Sequence, residues 1–208
     1  MKTIILLDSG YLKHIFKDSN KLYSADNIEK LIQHTVEMIK AKEQIALLRV
    51  LFYDCLPFSG SYVLPISKKK VEVEGTDKLM RPLSQKNLFA VRYGTLKFRG
   101  WILKKRSYQK QKLTDDDFEP SFEQKGVDMR IGLDISQYST DRSVDHIILV
   151  SNDTDCIPAM KCARKNGLKM SLISYNQANI TPDLRAHADE IFLINLPKSL
   201  EPFRGQQK

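Results

Sequence analysis

The chain has no apolar run near the ~18 residues that a membrane-spanning helix needs. Its greasy start, Ile4 to Leu7, stops at Asp8 and is too short for the core of a secretory leader, so it reads as a buried strand. Cysteine is scarce. Cys55, Cys156 and Cys162 are odd in number and show no metal-like spacing, which argues against a disulfide framework and a zinc site. They read as small buried hydrophobes in a reducing compartment, with a cytoplasmic location and no membrane partner expected. The histidines, His14, His34, His146 and His187, form no pairing pattern and are assigned no chemistry. Internal repeats and linker-like stretches are also missing. One domain over residues 1–196 is therefore expected, with a mobile tail over 197–208.

What is present is ordinary globular composition, 42% apolar and 28% charged, with a surplus of positive charge. Lys plus Arg number 33 against 25 for Asp plus Glu, a net charge of +8. Such a surplus suits a polyanionic partner but does not require one. Between residues 97 and 112 lie seven basic residues and no acid, with Phe98, Trp101 and Tyr108 interleaved. Lys97, Arg99, Trp101, Lys104, Lys105 and Arg106 form the candidate nucleic-acid surface, since rings stack on bases and cations meet phosphates. The bland alternative is a hairpin whose aromatics are core and whose lysines are a solvated face.

Patterning gives the fold class. "TIILLD" is apolar without alternation, as in a strand covered on both faces. "SADNIEKLIQHTVEMIKAK" carries Ile28, Leu31, Ile32, Val36 and Ile39 at helical spacing, and "IALLRVLFYD" is a second strand ending in Asp54. Residues 88–112 are β-rich and basic and are expected to form a hairpin or edge strands, broken at Gly94 and Gly100. "LTDDDFEPSFEQ" reads as irregular. "GVDMRIGLDISQYS" reads as a helix with Met129, Ile131 and Ile135 inward. Regular alternation of strand and helix follows to residue 194. This pattern predicts an α/β protein with a mostly parallel central sheet.

Ligands of open parallel sheets sit outside the carboxyl ends of the strands. Asp8 closes the first strand, Asp153 and Asp155 follow the strand ending at Val150, and Asp128 opens a helix just after Gly126. Carboxylates gathered there repel one another unless a cation neutralises them, and an all-oxygen set suits Mg²⁺ or Mn²⁺. Singly, each acid has a plainer reading: Asp8 as turn former or helix cap, Asp128 as complement to a helix dipole, Asp155 as helix cap. Asp153 is the stronger ligand candidate, with Asp155 dividing its role between metal and cap.

These residues resemble the NYN domains of the PIN-like nuclease superfamily, in particular the bacterial LabA-like branch. "ILLDSGYLK", "EQKGVDMRIGLDI" and "ILVSNDTDCIPAMKCARKNG" are similar to three ordered motifs of that branch, and "RVLFYDCLP", "FAVRYGTLK" and "LRAHADEIFLI" to further landmarks. The similarity runs from about residue 3 to 194. It implies a Rossmann-like, three-layer α/β/α architecture and a divalent-metal site made by Asp8, Asp128, Asp153 and Asp155, which would also be the catalytic set. It implies ribonuclease activity, with RNA favoured over DNA as partner. Asp134 matches a family position, but on an ideal helix it points about 120° away from Asp128 and is a supporting candidate only. Lys125 matches the motif lysine, to reach a phosphate, hold a carboxylate or be merely solvated. Ser151 and Thr154 would offer hydroxyls to the metal shell or cap the helix.

The chain departs from the pattern at Ser9, at Asn152 and at Cys156, where Gly, Gly and Phe are usual. Asn is the residue that best replaces Gly at positive φ. No carboxylate is lost. Beside a metal-dependent endoribonuclease stand two other readings: a noncatalytic RNA-binding or regulatory module with structural Mg²⁺, and a small-molecule phosphohydrolase. The sequence leaves oligomeric state open, a homo-oligomer included.

Overall fold

The computed structural model describes residues 1–203. Strand β1 (Lys2–Asp8) runs straight into helix α1 (Ser9–Asp18), followed by α2 (Ala25–Lys40) and β2 (Ala46–Cys55). Short strands β3 (Gly60–Val63) and β4 (Lys70–Val73) pair with each other, and α3 (Met80–Ser84) leads into β5 (Phe89–Leu103). Then come β6 (Phe118–Lys125), α4 (Val127–Thr140), β7 (His146–Val150), α5 (Ile157–Lys165), β8 (Lys169–Tyr175), α6 (Pro182–Ala186) and β9 (Glu190–Ile194).

The strands form a seven-stranded sheet in the order β6-β5-β2-β1-β7-β8-β9, parallel throughout except at β5 and β6. Helices cover both faces, as the continuous apolar strands require. Pleating splits β1 between them. Ile5 and Leu7 pack with Leu12 and Phe16 of α1 and Ile28 and Leu31 of α2. Ile4 and Leu6 pack with Val127 and Ile131 of α4 and Ala159 and Met160 of α5. All four β1 side chains are fully buried, and burial of this kind is worth about 1.5–3 kcal/mol each. The three-layer α/β architecture expected from the sequence is thus the observed one.

The chain builds outward from β1 to β2 and β5, returns, and then builds the other way through β7, β8 and β9. The order therefore reverses between β1 and β7, which is where such sheets open a crevice at their carboxyl edge.

Three expectations need correction, and one helix is not expected from the sequence at all. Helix α1 fills a stretch to which no element is assigned, because Asp8 is both the end of β1 and the N-cap of α1, accepting from the Gly10 amide at 2.8 Å. Within residues 88–112, β5 is one strand rather than a hairpin or a pair of edge strands, and its partner is β6, read as irregular because of its acids and Pro120. An edge strand tolerates proline, and Pro120 sits opposite Trp101 at the outer edge. Met129 is not inward but 71% exposed. The segment expected to be a tail from residue 197 is described as far as residue 203, and residues 204–208 lie outside the described residues. Leu200 is buried against the α1/α2 face, and the buried Asn27 amide holds both Leu22 O and Glu201 O.

Two glycines fit where β5 and β6 leave the sheet. A Cβ on Gly94 would lie 2.7 Å from Cys55 Sγ and 2.8 Å from Val127 Cγ2, so only glycine lets β5 pass there. Gly126, at φ +78°, makes the left-handed turn from β6 into α4. Among the described residues no helix is long and apolar enough to cross a membrane.

At the opposite, amino edge of the sheet, His146 is fully buried, its Nε2 2.8 Å from Ser171 Oγ and its Nδ1 3.5 Å from Glu43 Oε1. Burial pulls its pKa from 6.5 down to about 4, against the opposing pull of Glu43. The unfolded chain takes up a proton as pH falls below the ordinary value, while the folded chain stays neutral. Stability is therefore full above that value and lost as pH falls toward 4, by about 3 kcal/mol at the lower end. Urea unfolding at neutral and mildly acidic pH should show a smaller acid loss in His146→Asn than in wild type. Equal losses would contradict this assignment.

Candidate functional site

At the reversal point two distant segments meet. Asp8 Oδ2 accepts from the Ser151 hydroxyl at 2.9 Å, and Ser151 Oγ accepts from the Asp153 amide at 3.1 Å. The buried Ser151 thus ties the end of β1 to the loop after β7. Asp153 caps the 3₁₀ turn Thr154–Cys156, its Oδ1 accepting from the Asp155 amide at 2.9 Å. The cap expected of Asp155 is thus made by Asp153, while Asp155 is exposed and has no capping hydrogen bond among the described residues. Asn152 is not at positive φ; its side chain instead accepts from the Thr181 amide at 3.2 Å and moors the loop before α6. Thr154 is exposed on the turn.

Asp128 enters from α4, whose first turn stands over the same edge. Its pKa is raised by burial and then by Asp153 and Asp155. The Asp8 pKa is raised as well, by burial first and by Asp128 and Asp153, with the Ser151 and Gly10 hydrogen bonds opposing. Behind the group lies Cys156, a buried thiol pushed up to about 12 by burial and by Asp153, Asp8, Asp128 and Asp155 together. All four carboxylates therefore act on one small region.

They are not clenched. Among the described residues no three His, Cys, Asp or Glu side chains stand close enough to hold an ion as they are placed. Asp8 and Asp153 are fixed by backbone amides, whereas the Asp128 and Asp155 carboxylates have no side-chain or loop partner among the described residues. The donor set nonetheless fits a hard divalent cation. It is all oxygen, burial and its like charges raise the pKa of Asp8 and Asp128, and the Asp128 and Asp155 carboxylates are not committed to other side chains among the described residues.

The other sequence candidates lie elsewhere. Asp134 faces the sheet along α4, accepting from Tyr53 Oη at 2.7 Å and Arg92 Nε at 2.9 Å. The Lys125 ammonium pairs with Glu123, which also takes Arg99. Trp101 is turned into a ring cluster with Tyr62 at 4.9 Å and Phe98 at 5.7 Å, its Nε1 donating to Val63 O at 2.9 Å. Lys104 donates to Asp116 O. Lys97, Lys105 and Arg106 are exposed and unpaired among the described residues.

These basic residues belong to an arm. β5 pairs with β2 only as far as Gly94, opposite Cys55, then continues for nine residues with β6 as its partner. At about 3.3 Å per residue the arm projects roughly 30 Å past the carboxyl edge, on the same side as the acids. The returning β6 ends directly before Asp128. Residues 56–125 hold fifteen Lys and Arg against eight Asp and Glu, so nearly all the net charge lies there. Two of its acids hold its own loops. Asp117 accepts from Ser107 and Thr114, and Asp115 from the amides of Ile66 and Ser67.

Sequence reasoning missed Lys13 and Asp54. Lys13 on α1 lies 2.8 Å from Asp54, whose carboxylate is buried one residue beyond the level of Asp8 on the neighbouring strand. An acid closing "LFYD" was the available signal, and it matched the Asp8 pattern.

The NYN domain model matches residues 14–195. The chain belongs to the NYN family. NYN domains lie within the PIN-like superfamily and are generally nuclease domains. The matched segment of this NYN domain includes Asp128, Asp153 and Asp155 and begins after Asp8, which the sheet sets beside them. No curated protein matches the chain significantly. A crystal structure of a protein of unknown function from Vibrio parahaemolyticus RIMD 2210633 is similar at 15% identity and a TM-score of 0.49, over 93% of this chain and 92% of that one.

Proposed function

We propose that this NYN domain is a divalent-cation-dependent nuclease, an endoribonuclease by preference, acting in the cytoplasm with Mg²⁺ or Mn²⁺. The observation that carries the reading is the Asp8–Ser151–Asp153 link, which brings acids from two distant segments to the reversal point of a parallel sheet. Asp8 and Asp153 would be the primary ligands, with Asp128 and Asp155 completing the set. A cation bound there supplies a Lewis acid and a water of lowered pKa.

The chain's own residues do the rest. Ser151 holds the Asp8 carboxylate in orientation, and the Gly10 and Asp155 amides fix one oxygen each of Asp8 and Asp153. Of these two carboxylates, Asp153 Oδ2 is the oxygen left without a partner among the described residues, and it would be available to the cation or its water. On the arm, Lys97, Lys105 and Arg106 are the residues to meet phosphates. Trp101, Arg99 and Lys104 support them by shaping the arm.

The test is cleavage of single-stranded RNA, structured RNA and DNA with Mg²⁺, Mn²⁺ or EDTA. RNA cleavage that requires the cation is expected. Binding without cleavage under every cation would replace this reading with a noncatalytic RNA-binding module.

A further inference from the structure

Two depressions meet beside the carboxylate edge, and Lys13 and Tyr23 line both. One runs to the root of the arm, past Pro57, Lys78 and Gln124. The other follows α1 past Lys17 and Lys21 to Phe203. They adjoin at Lys13 and Tyr23, which belong to both linings, and border the site where the Tyr23 hydroxyl reaches Ser9 O at 3.5 Å, next to Asp8.

The acids of this groove are held from within: Asp54 pairs with Lys13, cancelling that charge, and accepts from the Cys55 amide, and Asp77 accepts from the amides of Leu79, Met80 and Arg81. Lys17 and Lys78 are exposed and have no partner among the described residues. Lys13 and Lys17 stand one helical turn apart on the same side of α1. Phe203, 56% exposed, is held by its amide on Asn20 O at 3.0 Å and offers a ring at the far end.

We propose that this groove seats a single nucleic-acid strand that leads to the carboxylates, with phosphates on Lys78 and Lys17 and an unpaired base against Phe203. This rests on the nuclease reading and adds a seat for the strand outside the carboxylate site, along α1 and the root of the arm. A row of cations with an exposed ring at its end is the chemistry that holds single strands, whereas a duplex hides its base faces.

The test is fluorescence anisotropy of a labelled oligouridylate and its DNA counterpart, about 12 nucleotides long, in EDTA over a salt series. EDTA separates binding from cleavage. A double variant, Lys17→Ala with Lys78→Ala, should weaken binding about tenfold and reduce the salt slope by about 1.4, at ~0.7 per lost phosphate contact. Phe203→Ala should weaken binding about tenfold with the slope unchanged. Lys40→Ala with Lys165→Ala, the same charge removed elsewhere, should match wild type. An unchanged slope in the first variant, or equal loss in the control, would reject the groove while leaving the nuclease reading intact. A wild type that binds neither oligonucleotide would overturn both.

Discussion

Asp8→Asn should lower RNA cleavage about a thousandfold while its Tm in EDTA is no lower than that of wild type. The first effect follows from the loss of a ligand charge: a cation's stabilisation of transition-state charge is worth several kcal/mol, and about 4 kcal/mol is a thousandfold in rate. The second follows from the surroundings. Burial, Asp128 and Asp153 all disfavour the Asp8 carboxylate in its charged form, so a neutral side chain relieves repulsion. The amide oxygen of Asn still accepts from Gly10, and local geometry is kept. Asp153→Asn should behave alike, since it keeps an acceptor for the Asp155 amide and hence the cap. Oligonucleotide binding in EDTA should survive both substitutions. Cleavage that persists in both points to a contaminant, and a large drop in Tm would mean that the carboxylates are structural.

Phe98→Ala should unfold the arm and leave the sheet intact. Phe98 is the hub of the ring cluster, with Tyr62 at 5.2 Å, Trp101 at 5.7 Å, Phe122 at 5.8 Å and Phe58 at 6.4 Å. The arm has no other core, because its opposite face carries Lys97, Arg99, Glu123 and Lys125. Removing a phenylalanine ring costs about 3–5 kcal/mol when fully buried and less at this half-buried site, still enough to open a small unit. Hydrogen exchange should show protection lost over β5 beyond Gly94 and over β6, and kept in β1, β2 and β7. Binding should weaken with it. Uniform loss of protection, or none, would contradict the picture of the arm as a separate cooperative unit.

These expectations were legible in the sequence to different degrees. The sheet and its carboxyl edge were readable because β1, β7 and β8 are continuous apolar runs closed by acids or turns. α1 escaped because it begins with no loop, its first residue following a strand-ending Asp whose cap role and site role look the same in one dimension. β6 escaped because an edge strand needs little hydrophobicity, and its Glu and Pro residues imitate a loop. Composition likewise leaves open which aromatics face solvent. Trp101 and Phe98 were expected at a binding surface or in a hairpin core, and they form the core of the arm. Which of Asp153 and Asp155 caps depends on where the turn begins, and the 3₁₀ turn Thr154–Cys156 ahead of α5 moves the cap to Asp153. The Lys13–Asp54 pair joins residues 41 apart, beyond the reach of any local pattern.

The central claim is that Asp8, Asp128, Asp153 and Asp155 act as one cation site. Calorimetric titration of Mn²⁺ into wild type and Asp8→Asn at neutral pH tests it most directly. Saturable binding in the wild type, absent from the variant, is the predicted result. The same saturable binding in both proteins, or cleavage by a wild type that binds no Mn²⁺ or Mg²⁺, would contradict it.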